Sequence, residues 1–118
     1  MKENRRKALQ LYNMALELAK EGRLDEAIDA LKRSLSHDPY HVNTYNLLGK
    51  VYIRKGEFRR AKSSWKSALK LDPLNSTAIS CLNALKSYGL LSRFKDHIAL
   101  ITAAIAIIVA LIALLLRG

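Results

Sequence analysis

Between residues 8 and 75 the apolar positions follow helical spacing, interrupted at regular intervals. Leu11, Met14, Ala15 and Leu18 recur on one face, which predicts a first helix over about 7–20. Gly22 stops it, because glycine enters the left-handed cap conformation without a steric penalty. A second helix restarts at Leu24, with Ala27, Ile28, Leu31 and Leu35 facing inward. Asp38-Pro39 ends that one, since the residue before a proline is disfavoured in the α region. The pattern then begins again at an offset of 34: Gly56 aligns with Gly22, Ala61 with Ala27, Leu69 with Leu35, and Asp72-Pro73 with Asp38-Pro39. Residues 8–41 and 42–75 are thus two copies of one helix–turn–helix unit. The charged residues 1–7 are either a frayed lead or the first turns of the first helix.

Past the second copy the periodicity continues once more. Ala78, Ile79, Leu82 and Leu85 mark the apolar face of a further helix over 76–89, with Ser76 as its expected N-cap. Residues 90–97 read as a linker, and 98–116 carry no charge. Nineteen helical residues span about 28 Å, close to the hydrocarbon thickness of a bilayer. A transmembrane helix is expected, and with only Arg117 and Gly118 after it the plan is that of a tail-anchored, single-pass membrane protein. Arg93, Lys95 and the basic repeats on the near side outweigh Arg117, which places the repeats in the cytoplasm. No cleaved secretory signal is expected from the charged N-terminus. Ala99, Ala103, Ala106, Ala110 and Ala113 recur at steps of four and three, a seam of small side chains of the kind that packs membrane helices together.

The second copy also carries Tyr45, Leu48-Gly49, Tyr52, Gly56, Ala61, Trp65, Ala68 and Pro73 at fixed offsets. In this it resembles the tetratricopeptide repeat. The first copy departs from that pattern, with Ala15 for the glycine, Leu18 for the tyrosine, Leu31 for the aromatic and Ser34 for the second alanine. The resemblance implies an all-α fold: a short solenoid of two repeats plus a capping helix, followed by one transmembrane helix. It implies a concave groove lined by the first helix of each pair, where such domains hold a peptide or helix. Carried over, the groove presents Leu9, Tyr12 and Leu16, then Asn43, Asn46, Lys50 and Ile53, then Thr77, Ser80 and Ala84. One subset of the family clamps the C-terminal carboxylates of heat-shock chaperones with Lys/Asn/Asn/Lys/Arg. This chain has Tyr12, Leu16, Leu47, Ser80 and Ala84 there, and chaperone-tail recognition is not expected. Two repeats and a cap form a stack shorter than those that are usually stable alone, so marginal stability is expected of the soluble part. The general plan also resembles the fission adaptors of organelle outer membranes.

Net charge is +10, distributed as +1 over 1–41, +6 over 42–75 and +3 over 76–118. Arg59, Lys62, Lys66 and Lys70 fall on one helical face in the second copy, a basic surface suited to anionic headgroups or an acidic partner. Nucleic acid is the weaker expectation, because base-stacking aromatic platforms are missing. Enzymatic chemistry is not expected, nor a metal or cofactor. His37 and His41 are four apart, but Pro39 breaks the helix that would align them. His97 lies at the membrane edge, and the single Cys81 reads as a small core residue that leaves no internal disulfide. The function expected is a protein–protein interaction adaptor, or an accessory subunit of a membrane complex. Its repeats bind a partner protein, and its membrane helix meets lipid and a neighbouring helix or a second copy. A self-assembling membrane-surface scaffold, an organelle fission-type adaptor and a basic nucleic-acid tether are the alternatives.

Overall fold

The structure, a computed structural model, describes residues 2–117. It contains α1 (Lys2–Lys20), α2 (Leu24–His37), α3 (Val42–Arg54), α4 (Phe58–Leu71) and α5 (Ser76–Arg117), with no strand among the described residues. Residues 2–7 belong to α1, so the charged lead is helical where it is described.

The chain divides into two units, Met1–Asn83 and Ala84–Gly118. In the first, α1 packs on α2, α2 on α3 and α3 on α4. The two helix pairs turn in the same way. Gly22 and Gly56 adopt φ of +78° and +80°, where a side chain would be strained. Arg23 N donates to Leu18 O and Glu57 N to Tyr52 O, both at 2.9 Å. Gly22 N donates to Ala19 O at 3.1 Å and Gly56 N to Ile53 O at 2.9 Å, completing a Schellman cap in each copy. Asp38 and Asp72 close α2 and α4, their amides returning to Ser34 O and Ala68 O, before the prolines divert the chain.

The core follows the shared pattern closely. Ala15 and Gly49, Ala27 and Ala61, Leu31 and Trp65, and Ser34 and Ala68 are buried at equivalent places in the two copies. Ser34, which replaces an alanine, donates its hydroxyl to Ala8 O of α1 at 2.7 Å, so the substitution adds a cross-helix hydrogen bond inside the core. Three details of helix phase differ from expectation. Met14 is 49% exposed and Leu18 only half-buried, because α1 turns Ala8, Leu11, Ala15 and Ala19 toward α2. In α2, Leu35 is likewise half-buried, while Ala30 and Ser34 join the core. At the start of α5 only Ala78 is buried, and Ile79, Leu82 and Leu85 stay partly open because no further helix pair covers them.

The expected N-cap of α5 is corrected by one residue. Ser76 is already helical, and Asn75 caps the helix by accepting from Ala78 N at 2.9 Å.

The second unit is helical throughout its described part, including residues 90–97 expected as a linker. Gly89 stays in the helical conformation, since among the described residues only Gly22 and Gly56 have positive φ. A single glycine costs a helix about 1 kcal/mol and does not by itself end one. No residue of 84–117 is buried. The helix is long and apolar enough to cross a membrane. Thr102, the lone polar side chain of 98–116, returns its hydroxyl to Ile98 O at 2.8 Å, which satisfies it without water.

Candidate functional site

The first helices of the repeats lie side by side. The ring of Tyr12 on α1 meets that of His41, at the start of α3, edge-on with centroids 5.3 Å apart. At the other end Arg54 of α3 donates to Ala19 O at the close of α1, at 2.6 Å. Two such ties make α1 and α3 neighbours running the same way. The start of α5 continues the row, because Asn46 of α3 donates its amide to Asn75 Oδ1 at 3.0 Å.

On this row the expected groove residues divide into three groups. Leu9, Asn43, Lys50 and Ser80 are exposed, and Tyr12, Leu16, Ile53 and Thr77 are half-buried, so these eight are available to a partner. Ala84 is exposed but lies in the second unit. Asn46 is only 5% exposed and is a structural residue, a correction to its place in the groove. Its amide serves the α5 cap, its carbonyl accepts from Trp65 Nε1 at 3.3 Å, and its Oδ1 has no protein partner. Burial against the turn before α5 removed it from the surface. That turn is tightened by Asn75 donating to Asp72 Oδ2 at 3.2 Å.

His41 takes local partners. His41 Nδ1 lies 2.6 Å from the buried Thr44 hydroxyl while its ring faces Tyr12. No group of residues able to hold a metal ion is found among the described residues.

The basic residues form a second surface. Arg59, Lys62, Lys66 and Lys70 are exposed along α4 and line one shallow cleft with Ser63 and Ser67. The alanine seam, Ala99, Ala103, Ala106, Ala110 and Ala113, is exposed on the apolar part of α5.

Two residues that tie the repeats together have no sequence signature. Lys55, at the end of α3, pairs with Asp25 in the first turn of α2. The hydrogen bond that Lys55 donates to Asp25 holds its ammonium above its ordinary pKa, with Coulombic attraction to Asp25 and Glu57 adding to it. Arg54 caps α1 from a distance. Neither link follows helical spacing, and neither is visible until the helices are placed. Arg23 is a local case: Glu26 and Glu21 hold its guanidinium above the usual value, at the turn between α1 and α2.

Residues 18–85 match the family model described as Tetratricopeptide repeat. Among characterised proteins, protein bimA of Emericella nidulans is 33% identical over 57 residues. That stretch is 48% of this chain, and 7% of the relative's length. Among solved structures, the first TPR of Spaghetti (RPAP3), bound to the HSP90 peptide SRMEEVD, superposes with a TM-score of 0.69 at 27% identity. The match covers 78% of this chain and 73% of that one. MamA superposes with a TM-score of 0.68 at 24% identity, covering 71% of this chain and 50% of that one. With the repeat geometry, the twin glycine caps and a family match over more than half its length, the chain belongs to the tetratricopeptide repeat family.

Proposed function

We propose that this chain is a membrane-anchored adaptor whose repeats hold a segment of a partner protein against the row formed by α1, α3 and the start of α5. The observation that carries the reading is the state of that row. Leu9, Tyr12, Leu16 and Ile53 keep apolar surface open to solvent beside the polar Asn43, Lys50 and Thr77. Such a mixture suits an amphipathic helix or extended peptide, with apolar side chains for affinity and a polar edge for register. Repeats of this family are interaction modules, and the Spaghetti repeat binds a peptide.

The anchor in this reading is the uncharged part of α5, with the repeats on the cytoplasmic side, as Arg93 and Lys95 favour. Anchoring confines the partner to a membrane surface. A second reading, accessory subunit of a membrane complex, draws on the alanine seam, which suits close packing with another membrane helix.

Both readings meet the same experiment. The tagged full-length chain is extracted in mild detergent from its own membranes, and the proteins that leave with it are identified. A partner lost on L16E/I53E supports the groove reading. Membrane subunits lost on A106L/A110L support the accessory-subunit reading. Recovery of this chain alone in a high-mass species supports a self-assembling scaffold instead.

A further inference from the structure

The α4 face carries a row of cations that no anion among the described residues answers. Arg59, Lys62, Lys66 and Lys70 are spaced three, four and four, so they share one face and repel one another. None of them pairs with a carboxylate among the described residues. The two acids of the second repeat are engaged elsewhere. Glu57 pairs with Arg60 at 3.5 Å, and Asp72 accepts from Asn75. A separate neighbouring cleft, lined by Tyr45, Leu48 and Tyr52 as well as polar residues, brings Lys32 of α2 beside Arg60, Ser63 and Ser67.

The lining decides what kind of anion fits. The α4 cleft is formed by four long cations and two serines, with no aromatic or aliphatic residue among them. A protein epitope gains most of its affinity from apolar or aromatic anchors in a desolvated centre, which this cleft does not offer. Single-stranded nucleic acid is held by stacking on aromatic side chains, which are equally missing. A sheet of headgroups needs neither. It presents many phosphates and carboxylates in a plane, and flexible ammonium and guanidinium groups neutralise them without fixed geometry. If α5 anchors the chain, as the proposed function holds, the headgroups are also present at high effective concentration.

We infer that the α4 face is a docking surface for anionic phospholipid headgroups, with Arg59, Lys62, Lys66 and Lys70 meeting their phosphates and carboxylates. The inference rests on the membrane reading of α5 and adds a second contact between the chain and the bilayer. The repeats are then held by charge as well as by the anchor. The exposed row α1–α3 stays free for a partner.

The test uses the full chain reconstituted into vesicles of phosphatidylcholine alone, or with about one third phosphatidylserine. Flotation first establishes that the chain is in both kinds of vesicle. A brief pulse of an amine-reactive, membrane-impermeant reagent is then read lysine by lysine by mass spectrometry. The expected result is labelling of Lys62, Lys66 and Lys70 about fivefold slower in the serine-containing vesicles, the ratio that corresponds to one favourable charge contact per lysine. Labelling of Lys2, Lys7 and Lys20 is the same in both lipids. The protection disappears in about 1 M salt, where the Debye length is about 3 Å. K66Q/K70Q, changed at two exposed positions, removes the lipid-dependent protection of Lys62. Equal labelling in the two lipids overturns the inference. So does protection by polyglutamate in neutral vesicles with none from phosphatidylserine, which assigns the face to an acidic protein. A chain that floats with neither vesicle overturns the membrane reading itself, and the inference falls with it.

Discussion

The indole nitrogen of Trp65 donates to the carbonyl of Asn46 at 3.3 Å, and the same ring fills the space beside Gly49. A Cβ added at Gly49 would fall within 3.0 Å of three atoms of that ring. Trp65 is only 3% exposed, so the ring has nowhere to retreat.

Gly49→Ala is therefore expected to destabilise the repeat unit by about 1–3 kcal/mol, the usual cost of overpacking. Trp65→Phe alone costs about 1 kcal/mol for the lost hydrogen bond, plus the volume of the second ring. Together the two changes cost less than their sum, because the smaller ring makes room for the new methyl. Thermal or urea unfolding of the four proteins, followed by circular dichroism, measures the coupling. Strict additivity would mean that the ring and the glycine do not share the space.

Asn75 joins two elements through one side chain. Its Oδ1 caps α5 at Ala78 N and accepts the buried amide of Asn46, while its own amide ties down Asp72. Asn75→Ala removes a cap worth about 1 kcal/mol and leaves the Asn46 amide buried without an acceptor, a further penalty of about 1–3 kcal/mol. Hydrogen exchange at Ala78 and in the following turn is expected to quicken far more than exchange in α1 and α2. Uniform quickening along the chain would instead show that Asn75 supports only global stability.

The Lys55–Asp25 pair is expected to make stability depend on alkaline pH. The raised pKa means that folding favours the charged ammonium. That contribution is complete below the ordinary lysine value of 10.5 and is lost as pH climbs through the raised one. The parent chain should lose stability above about pH 10.5 faster than Lys55→Gln, which has no such proton to release. Denaturation midpoints of the two proteins, compared between pH 7 and pH 11.5, check this. Parallel curves throughout would exclude the pair as a contributor.

What could be seen in the sequence was local chemistry repeated at 34 residues. Gly22 and Gly56, Asp38-Pro39 and Asp72-Pro73, and the small residues Ala15, Gly49, Ala27 and Ala61 mark turns and close approaches that depend on nearby backbone. These stand where the repeats require. Features set by contact between helices were not visible. Asn46 lies on the right helix for the groove, but Asn75 and Trp65 bury it. Met14 has the right spacing for the core, yet the phase of α1 is fixed by α2, and the side chain stays half open. Ser76 looks like a cap as much as Asn75 does, and only the hydrogen bond to Ala78 N separates them. The bond from Ser34 to Ala8 O spans 26 residues and has no periodic signal. The exposure of most positions along the row α1–α3 was legible because the repeat fixes which helix faces outward; the ties through Arg54 and Lys55 were not, because they join ends of different helices.

In the proposed function the row of α1 and α3 holds a partner protein at a membrane. The most direct measurement is quantitative mass spectrometry after mild-detergent extraction of the full-length chain, comparing the parent with L16E/I53E and K66Q/K70Q. One protein is expected in near-equal amount with the parent, lost by at least tenfold with L16E/I53E and retained with K66Q/K70Q, because a buried charge in an apolar contact costs more than about 1.4 kcal/mol. Retention of that protein by L16E/I53E, or recovery of the chain with no other protein, would contradict it.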